Sequence, residues 1–87
     1  MKYLYMILVP TMINEKPVKT RYHRVWDEKV RKLSGGLTIL TPAKGQWICK
    51  EGKLYAERMI PVMVYCTKAD INKISALTAS YYKQKAI

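Results

Sequence analysis

Apolar residues follow two rhythms along this chain, one typical of strands and one typical of helices. Runs rich in β-branched and aromatic residues predict strands. These runs are residues 2–9, 37–40, 48–50, 54–66 and, at the end, 83–87. Between them, two segments repeat apolar residues every three or four positions, which predicts amphipathic helices. The predicted element order is therefore β-α-β-β-α-β.

Both predicted helices carry signals for their ends. Thr20 is the expected N-cap of the first helix, which ends near Leu33 because Gly35-Gly36 follows. Thr67 is the expected N-cap of the second, with Asp70 completing a short capping box. The stripes expected to be buried are Tyr22, Trp26, Val30 and Leu33 in the first helix and Ile71, Ile74, Leu77 and Tyr81 in the second. The lone His23 falls on the polar side, where we expect it to be solvated.

The order β-α-β-β-α-β is that of the ferredoxin-like α+β fold, in which two helices cover one face of an antiparallel sheet. We expect residues 1–87 to form one such domain. Right-handed crossovers place the strands at 2–9 and 54–66 in the centre of the sheet.

The second sheet face is predicted to be an oligomer interface. Both central strands are apolar on both sides, whereas the helices cover only one. We expect the open face to hold Tyr3, Tyr5, Ile7 or their neighbours, together with Tyr55, Glu57, Met59, Met63 and Tyr65. This predicts a homo-oligomer packed sheet to sheet, with a trimer favoured over a dimer.

A long hairpin spanning residues 35–66 organises the chain. Glu51-Gly52 is interpreted as a two-residue turn, because glycine accommodates the positive φ required there. This register sets Gln46 opposite Glu57 and Lys44 opposite Met59. It places Lys44, Gln46, Ile48, Tyr55, Glu57 and Met59 on one surface and Trp47, Cys49, Leu54 and Ala56 on the other. Pro42 would face Pro61, so we expect a bulge or an end of pairing there.

Charge and composition limit the classes of partner that the chain is expected to bind. The net charge is +10, from 16 Lys+Arg against 6 Asp+Glu, which favours an anionic ligand over a merely soluble basic surface. There is no apolar run long enough to span a membrane. Cys49 and Cys66 lack metal-binding spacing, and we interpret them as reduced, semi-buried thiols of a cytoplasmic protein.

Glu57 is the unusual residue, because it sits mid-strand among aromatic and methionine residues on the predicted interface. A buried carboxylate must be paired, hydrogen-bonded or functional. We assign Glu57 and Tyr55 as candidate catalytic residues. The candidate ligand-binding residues are Lys44, Gln46, Trp47 and Arg58. The alternative is a structural salt bridge from Glu57 to Lys44 or Arg58.

Other catalytic patterns are missing from the sequence. It has no phosphate-binding glycine loop, no Ser-His-Asp set and no metal-ligand pair, and we predict no metal and no cofactor. What remains possible is a reaction that runs on positioning and electrostatics, such as an elimination or an intramolecular displacement.

The residues resemble two groups of proteins. Gly36-Leu37-Thr38, Gly45-Gln46-Trp47, Gly52 and Glu57 are similar to a pattern of small uncharacterised bacterial domains. The layout Gly35-Gly36, Gly52, Glu57, the strand at 60–65 and Gln84-Lys85-Ala86 resembles the phage-encoded S-adenosylmethionine lyases.

The second resemblance implies a trimer of ferredoxin-like, PII-like subunits with active sites between subunits and Glu57 as the key carboxylate. It implies cleavage of S-adenosylmethionine to methylthioadenosine and homoserine lactone. The chain has Lys85 where those lyases have an acidic residue. Its positive charge suits a more anionic relative of that substrate, such as an adenylated S-adenosylmethionine used in phage or antiphage signalling.

Two alternatives stay open beside the lyase. One is a non-catalytic protein that sequesters an anionic nucleotide between subunits. The other, which we rank lower, is a nucleic-acid-binding module with Tyr3, Tyr5 and Tyr55 stacking bases, because the same sheet face is needed for assembly.

Overall fold

The computed structural model describes residues 1–83. Its main sheet is built around one long central strand. The strands are β1 (Lys2–Pro10), β2 (Met12–Ile13), β3 (Lys16–Pro17), β4 (Thr38–Ile39), β5 (Ala43–Ile48) and β6 (Leu54–Thr67). The helices are α1 (Thr20–Ser34) and α2 (Lys68–Tyr81). Through α2 this is the predicted order, with two differences. The second strand is divided into β4 and β5, and the segment before α1, expected to be a loop, contains the short hairpin β2–β3. The strand predicted at 83–87 lies outside the described residues except for Lys83, which is in a turn.

The sheet is antiparallel, and β6 is its axis. One edge of β6 pairs with β1 from Lys2↔Thr67 to Pro10↔Met59, and the other edge pairs with β4 and then β5. The register with β6 shifts by one residue between Ile39 and Ala43. The predicted interruption of pairing is confirmed. Pro61 does not face Pro42 as expected but lies beside Leu40, and the Leu40 N–H donates to the Pro61 carbonyl at 2.9 Å.

The two helices end largely as their sequences predict. Gly35 adopts φ 88° after α1, and its N–H donates to the Arg31 carbonyl. The Thr67 hydroxyl accepts the Asp70 N–H at 3.1 Å and caps α2. The prediction of Thr20 as N-cap is wrong, because Lys19 is the extended residue before α1 and its carbonyl accepts the first helical bonds.

The core lies between one sheet face and both helices. Its buried residues are Ile7 and Val9 from β1, Val62, Val64 and Cys66 from β6, Trp26 and Val30 from α1, and Ile71, Ile74 and Thr78 from α2, together with Tyr82. The prediction that Leu33 is buried is wrong, because its side chain is 38% exposed in the last turn of α1. Thr78 and Tyr82 are fully buried, and each follows directly a residue of the predicted stripe, Leu77 and Tyr81.

Candidate functional site

The candidate site lies on a two-stranded ribbon that continues the sheet past the end of β1. Pairing between β1 and β6 stops at Met59, so the preceding residues of β6 pair only with β5. The Thr11 hydroxyl donates to the Arg58 carbonyl at 3.0 Å and anchors the base of this ribbon. Both ribbon faces are exposed in a single chain, which makes them available to a ligand or a neighbouring subunit.

The turn at the ribbon tip has three residues, Lys50 to Gly52, and not two. The Gly52 N–H donates to the Cys49 carbonyl at 2.9 Å, and the Cys49 N–H donates to the Lys53 carbonyl at 3.0 Å. Gly52 has φ 80°, the left-handed conformation that completes such a turn. The predicted register is therefore wrong by one residue, and one residue is enough to move a strand's side chains to the opposite face.

The observed register divides the predicted site residues between the two ribbon faces. Trp47 lies opposite Tyr55 and Gly45 opposite Glu57, which defines the aromatic face. Gln46 lies opposite Ala56 and Lys44 opposite Arg58, which defines the basic face. The single surface predicted for Lys44, Gln46, Tyr55 and Glu57 is wrong: Tyr55 and Glu57 share a face with Trp47, and Lys44 and Gln46 share one with Arg58.

The aromatic face offers ring surface beside a carboxylate. The Trp47 and Tyr55 ring centroids are 6.2 Å apart at an interplanar angle of 17°, and the two residues are 46% and 41% exposed. The Lys53 ammonium lies 5.3 Å from the Tyr55 ring centroid. Opposite Glu57, Gly45 leaves space that Met59 enters: a β-carbon on residue 45 would lie 2.6 Å from Met59 Cε.

Glu57 is exposed and makes no salt bridge within residues 1–83. The structural salt bridge to Lys44 or Arg58 is therefore absent from this part of the chain, where the ion pair present is Glu28–Lys32 at 3.3 Å. The Glu57 carboxylate thus remains available to a ligand or to another subunit.

The basic face holds an unfavourable pair in a single chain. Lys44 and Arg58 are directly opposite each other, and like charges in that relation destabilise a sheet. An anion between them would remove the repulsion. This pair was not predicted from the sequence, although a three-residue turn ending in Gly52 would have indicated it.

The open sheet face is apolar, as predicted, but β1 presents other residues to it. Because Ile7 pairs with Val62 on the helix side, it is buried, and Tyr3 and Tyr5 share its face. The open face instead holds their neighbours Leu4, Met6 and Leu8, with Met63 and Tyr65 of β6. Tyr55 is distant along β6, so the three tyrosines proposed to stack bases do not form one surface.

A polar cluster includes His23, and the prediction that this histidine is merely solvated is wrong. His23 Nδ1 lies 2.6 Å from the Tyr82 hydroxyl. Burial lowers the pKa of His23, which the nearby Asp27 carboxylate partly opposes. Burial also raises the pKa of Asp27 and of Tyr82. His23 and Asp27 are half-buried and Tyr82 is buried, which suits a structural role.

Residues 1–83 contain neither a cluster of metal ligands nor a helix that could span a membrane. No group of three or more His, Cys, Asp or Glu side chains there is arranged to hold a metal ion. No helix of that part is long and apolar enough to cross a membrane. Cys49 is half-buried and Cys66 buried, and both are free thiols as predicted; burial raises the pKa of Cys66.

The antiparallel sheet with two helices on one face defines a ferredoxin-like fold of the PII-like kind, as the sequence predicts. Among solved structures, the chain is similar to the divalent cation tolerance protein CutA1 from Thermus thermophilus. The TM-score is 0.70 at 13% sequence identity, over 94% of this chain and 73% of that one. Neither a protein-family profile nor a curated protein matches the sequence. At this identity the likeness concerns the fold alone.

Proposed function

We propose that this chain is a small homo-oligomeric lyase that binds an anionic adenine nucleotide between subunits and cleaves S-adenosylmethionine or its adenylated conjugate. The observation that carries the proposal is the division of the ribbon into an aromatic face with Glu57 and a basic face with Lys44 and Arg58. The resemblance of the sequence to phage S-adenosylmethionine lyases supports the choice of substrate.

The two faces suit different parts of one nucleotide. Exposed aromatic rings such as Trp47 and Tyr55 stack on bases, with a contribution of about 1–3 kcal/mol per base. The Lys44–Arg58 pair suits a phosphate, which would replace their mutual repulsion with charge-assisted hydrogen bonds. The net charge of +10 would draw such a ligand toward the protein.

One ribbon cannot present both faces to the same molecule, and this favours an assembly. In a cyclic trimer, interfaces are heterologous, so the aromatic face of one subunit can meet the basic face of the next. A twofold dimer would instead bring identical faces together. The apolar open sheet face, with Met6 57% and Tyr65 59% exposed, supplies the surface that such an assembly would bury.

The reaction proposed is an intramolecular displacement. The substrate's own carboxylate attacks its γ-carbon, the Cγ–S bond breaks, and sulfur keeps the bonding pair. The products are homoserine lactone and neutral methylthioadenosine, or its adenylated form, and no external nucleophile or proton acceptor is consumed.

Positioning is therefore the main task of the protein. We assign Glu57 to hold the substrate's α-ammonium group, which directs the carboxylate toward the γ-carbon. The Tyr55 ring is assigned to contact the sulfonium through a cation–π interaction.

The name of CutA1 refers to divalent cation tolerance, and cation binding is not what we propose for this chain. The positive charge and the lack of a ligand cluster within residues 1–83 favour an anion. The second candidate is a protein that sequesters the same nucleotide without cleaving it, because ring stacking on Trp47 and Tyr55 and anion binding by Lys44 and Arg58 require no reaction. Either ligand is intracellular, and the free thiols of Cys49 and Cys66 suit the cytoplasm.

The test is to incubate the purified protein with S-adenosylmethionine and with the adenylated conjugate, and to follow methylthioadenosine or its adenylated form by chromatography. Glu57→Gln loses the charge that positions the α-ammonium group and is expected to turn the substrate over at least ~100-fold more slowly. Its affinity should fall far less, because the contacts to the base and the phosphate are kept. Glu15→Gln, an exposed carboxylate in the β2–β3 turn, is the control and should retain the rate. Tight binding with unchanged ligand recovered would select the sequestering protein, and neither binding nor turnover would refute both.

A further inference from the structure

A cleft between the two helices lies on the opposite side of the sheet from the open face. It has a volume of about 340 Å³ and is lined by Lys19, Arg21, Tyr22 and Val25 from α1 and the residue before it, and by Tyr81 from α2. Pockets for small ligands begin at about this size. None of these residues belongs to the ribbon.

The floor of the cleft is a locked pair of aromatic rings. Tyr22 and Tyr81 stack with centroids 4.2 Å apart and an interplanar angle of 29°. The Tyr81 hydroxyl donates to the Tyr22 carbonyl at 2.8 Å, and the Tyr22 hydroxyl donates to the Tyr81 carbonyl. Because both hydroxyls are satisfied within the pair, the cleft presents ring and Val25 surface and not free hydroxyl groups.

The rim of the cleft carries positive charges that no nearby carboxylate neutralises among residues 1–83. Lys19 and Arg21 line it, and the Lys29 ammonium lies 5.5 Å from the Tyr81 ring centroid. Among residues 1–83, no carboxylate lines the cleft, and the first turn of α1 has no acidic residue. The carboxylate of Glu28 is engaged by Lys32.

We propose that this cleft is a second ligand site, specific for an aromatic anion of the nucleoside monophosphate class. Arg21 and Lys19 bind the phosphate, and the base lies against the Tyr22–Tyr81 pair. The aromatic floor distinguishes this ligand from a simple anion, and the rim distinguishes it from a neutral nucleoside. The site goes beyond the proposed lyase and does not depend on it.

The test uses the full chain labelled for NMR and titrated with AMP, adenosine and inorganic phosphate. AMP is expected to shift the amide signals of residues 19–25 and 81. Adenosine and phosphate should each bind this cleft at least tenfold more weakly, since each lacks one of the two contacts. Ribbon signals at residues 45–57 are read separately, and Trp47→Ala should leave the cleft response intact, so failure of the lyase and failure of this site are distinguishable.

Arg21→Gln is expected to weaken AMP binding at the cleft at least about tenfold, which is the loss expected when a hydrogen bond to a charged group is removed. Arg24→Gln removes the same charge from the same helix outside the cleft, and it should change affinity less than twofold. The proposal is overturned if AMP leaves the cleft signals unshifted, if both variants weaken binding equally, or if phosphate or adenosine binds as tightly as AMP.

Discussion

The Trp26 indole N–H donates a 3.0 Å hydrogen bond to the Thr78 hydroxyl in the centre of the core. Thr78 in turn donates to the Ile74 carbonyl at 2.6 Å, so one hydroxyl connects the two helices and satisfies a buried tryptophan. Thr78 is therefore a buried polar side chain packed within a cluster of hydrophobic residues.

Thr78→Val should therefore destabilise the protein by about 1–3 kcal/mol, because the shape is kept while the Trp26 N–H loses its acceptor. Urea unfolding measures the change. Thr41→Val, at an exposed loop position, is the control and should alter the free energy of unfolding by less than about 0.5 kcal/mol. Equal stability of the two variants would contradict a role for this hydrogen bond.

The two adjacent glycines after α1 should respond differently to alanine. Gly35 has φ 88°, where a β-carbon costs about 1–2 kcal/mol, whereas Gly36 has an ordinary φ and open space around it. Gly35→Ala is thus expected to lower the thermal midpoint and Gly36→Ala to leave it nearly unchanged. If Gly36→Ala is the more damaging, the assignment of Gly35 as the helix terminator is wrong.

Met63→Asp should dissociate the oligomer. Met63 lies opposite Met6 on the open sheet face, and an aspartate there would have to be desolvated in a sheet-to-sheet assembly. Light scattering at micromolar concentration is expected to show an oligomer for the unmodified chain and a monomer for the variant. Ala76→Asp, on the exposed side of α2, should leave the assembly intact. A monomeric unmodified chain would remove both the interface and the site between subunits.

Acid should destabilise the fold through His23. Burial lowers its pKa from the ordinary 6.5, so the unfolded state takes up more protons as the pH falls below 6.5. Stability contributed by the neutral imidazole is therefore present at higher pH and is lost as the pH drops toward the lowered pKa. The raised pKa of Asp27 has the opposite effect on stability. At pH values just above the ordinary 3.8 the folded state binds more protons at this carboxyl than the unfolded state does, so lowering the pH there favours folding.

Comparing the urea concentration at the unfolding midpoint at about pH 7.5 and at about pH 5.5 measures this effect. His23→Gln keeps an acceptor for the Tyr82 hydroxyl but cannot titrate, so its midpoint should change less between the two conditions than that of the unmodified chain. The same loss in both proteins would assign the acid sensitivity to other groups.

The elements and the fold class were predictable because they depend on periodicity and end signals that are local. Trp26, Val30, Ile71 and Ile74 are buried as their spacing predicts, and Thr67 and Gly35 bound the helices as expected. The faces of β1 were not determined by its residues, since both are apolar and only the pairing of Ile7 with Val62 decides which one meets the helices.

The site was less predictable than the fold, because its geometry depends on a single residue in a turn. Glu51-Gly52 suits a two-residue turn, and the sequence offers little to distinguish this from the three-residue turn observed. The difference moved Lys44 and Gln46 away from Glu57 and brought Trp47 to Tyr55. His23 was misjudged for another reason: its partner Tyr82 lies beyond the apolar stripe of α2, where spacing gives no warning.

The pairing of β1 with β6 also has a consequence for folding kinetics. Partners from Lys2↔Thr67 to Pro10↔Met59 are separated by roughly 50 to 65 residues, so the central contact of the sheet is of high contact order. During synthesis, which adds about 5–20 residues per second, β1 stays without its partner for several seconds. Its apolar faces lack a partner strand throughout that interval, so we expect a chaperone that binds nascent apolar segments to recognise β1 before β6 is made.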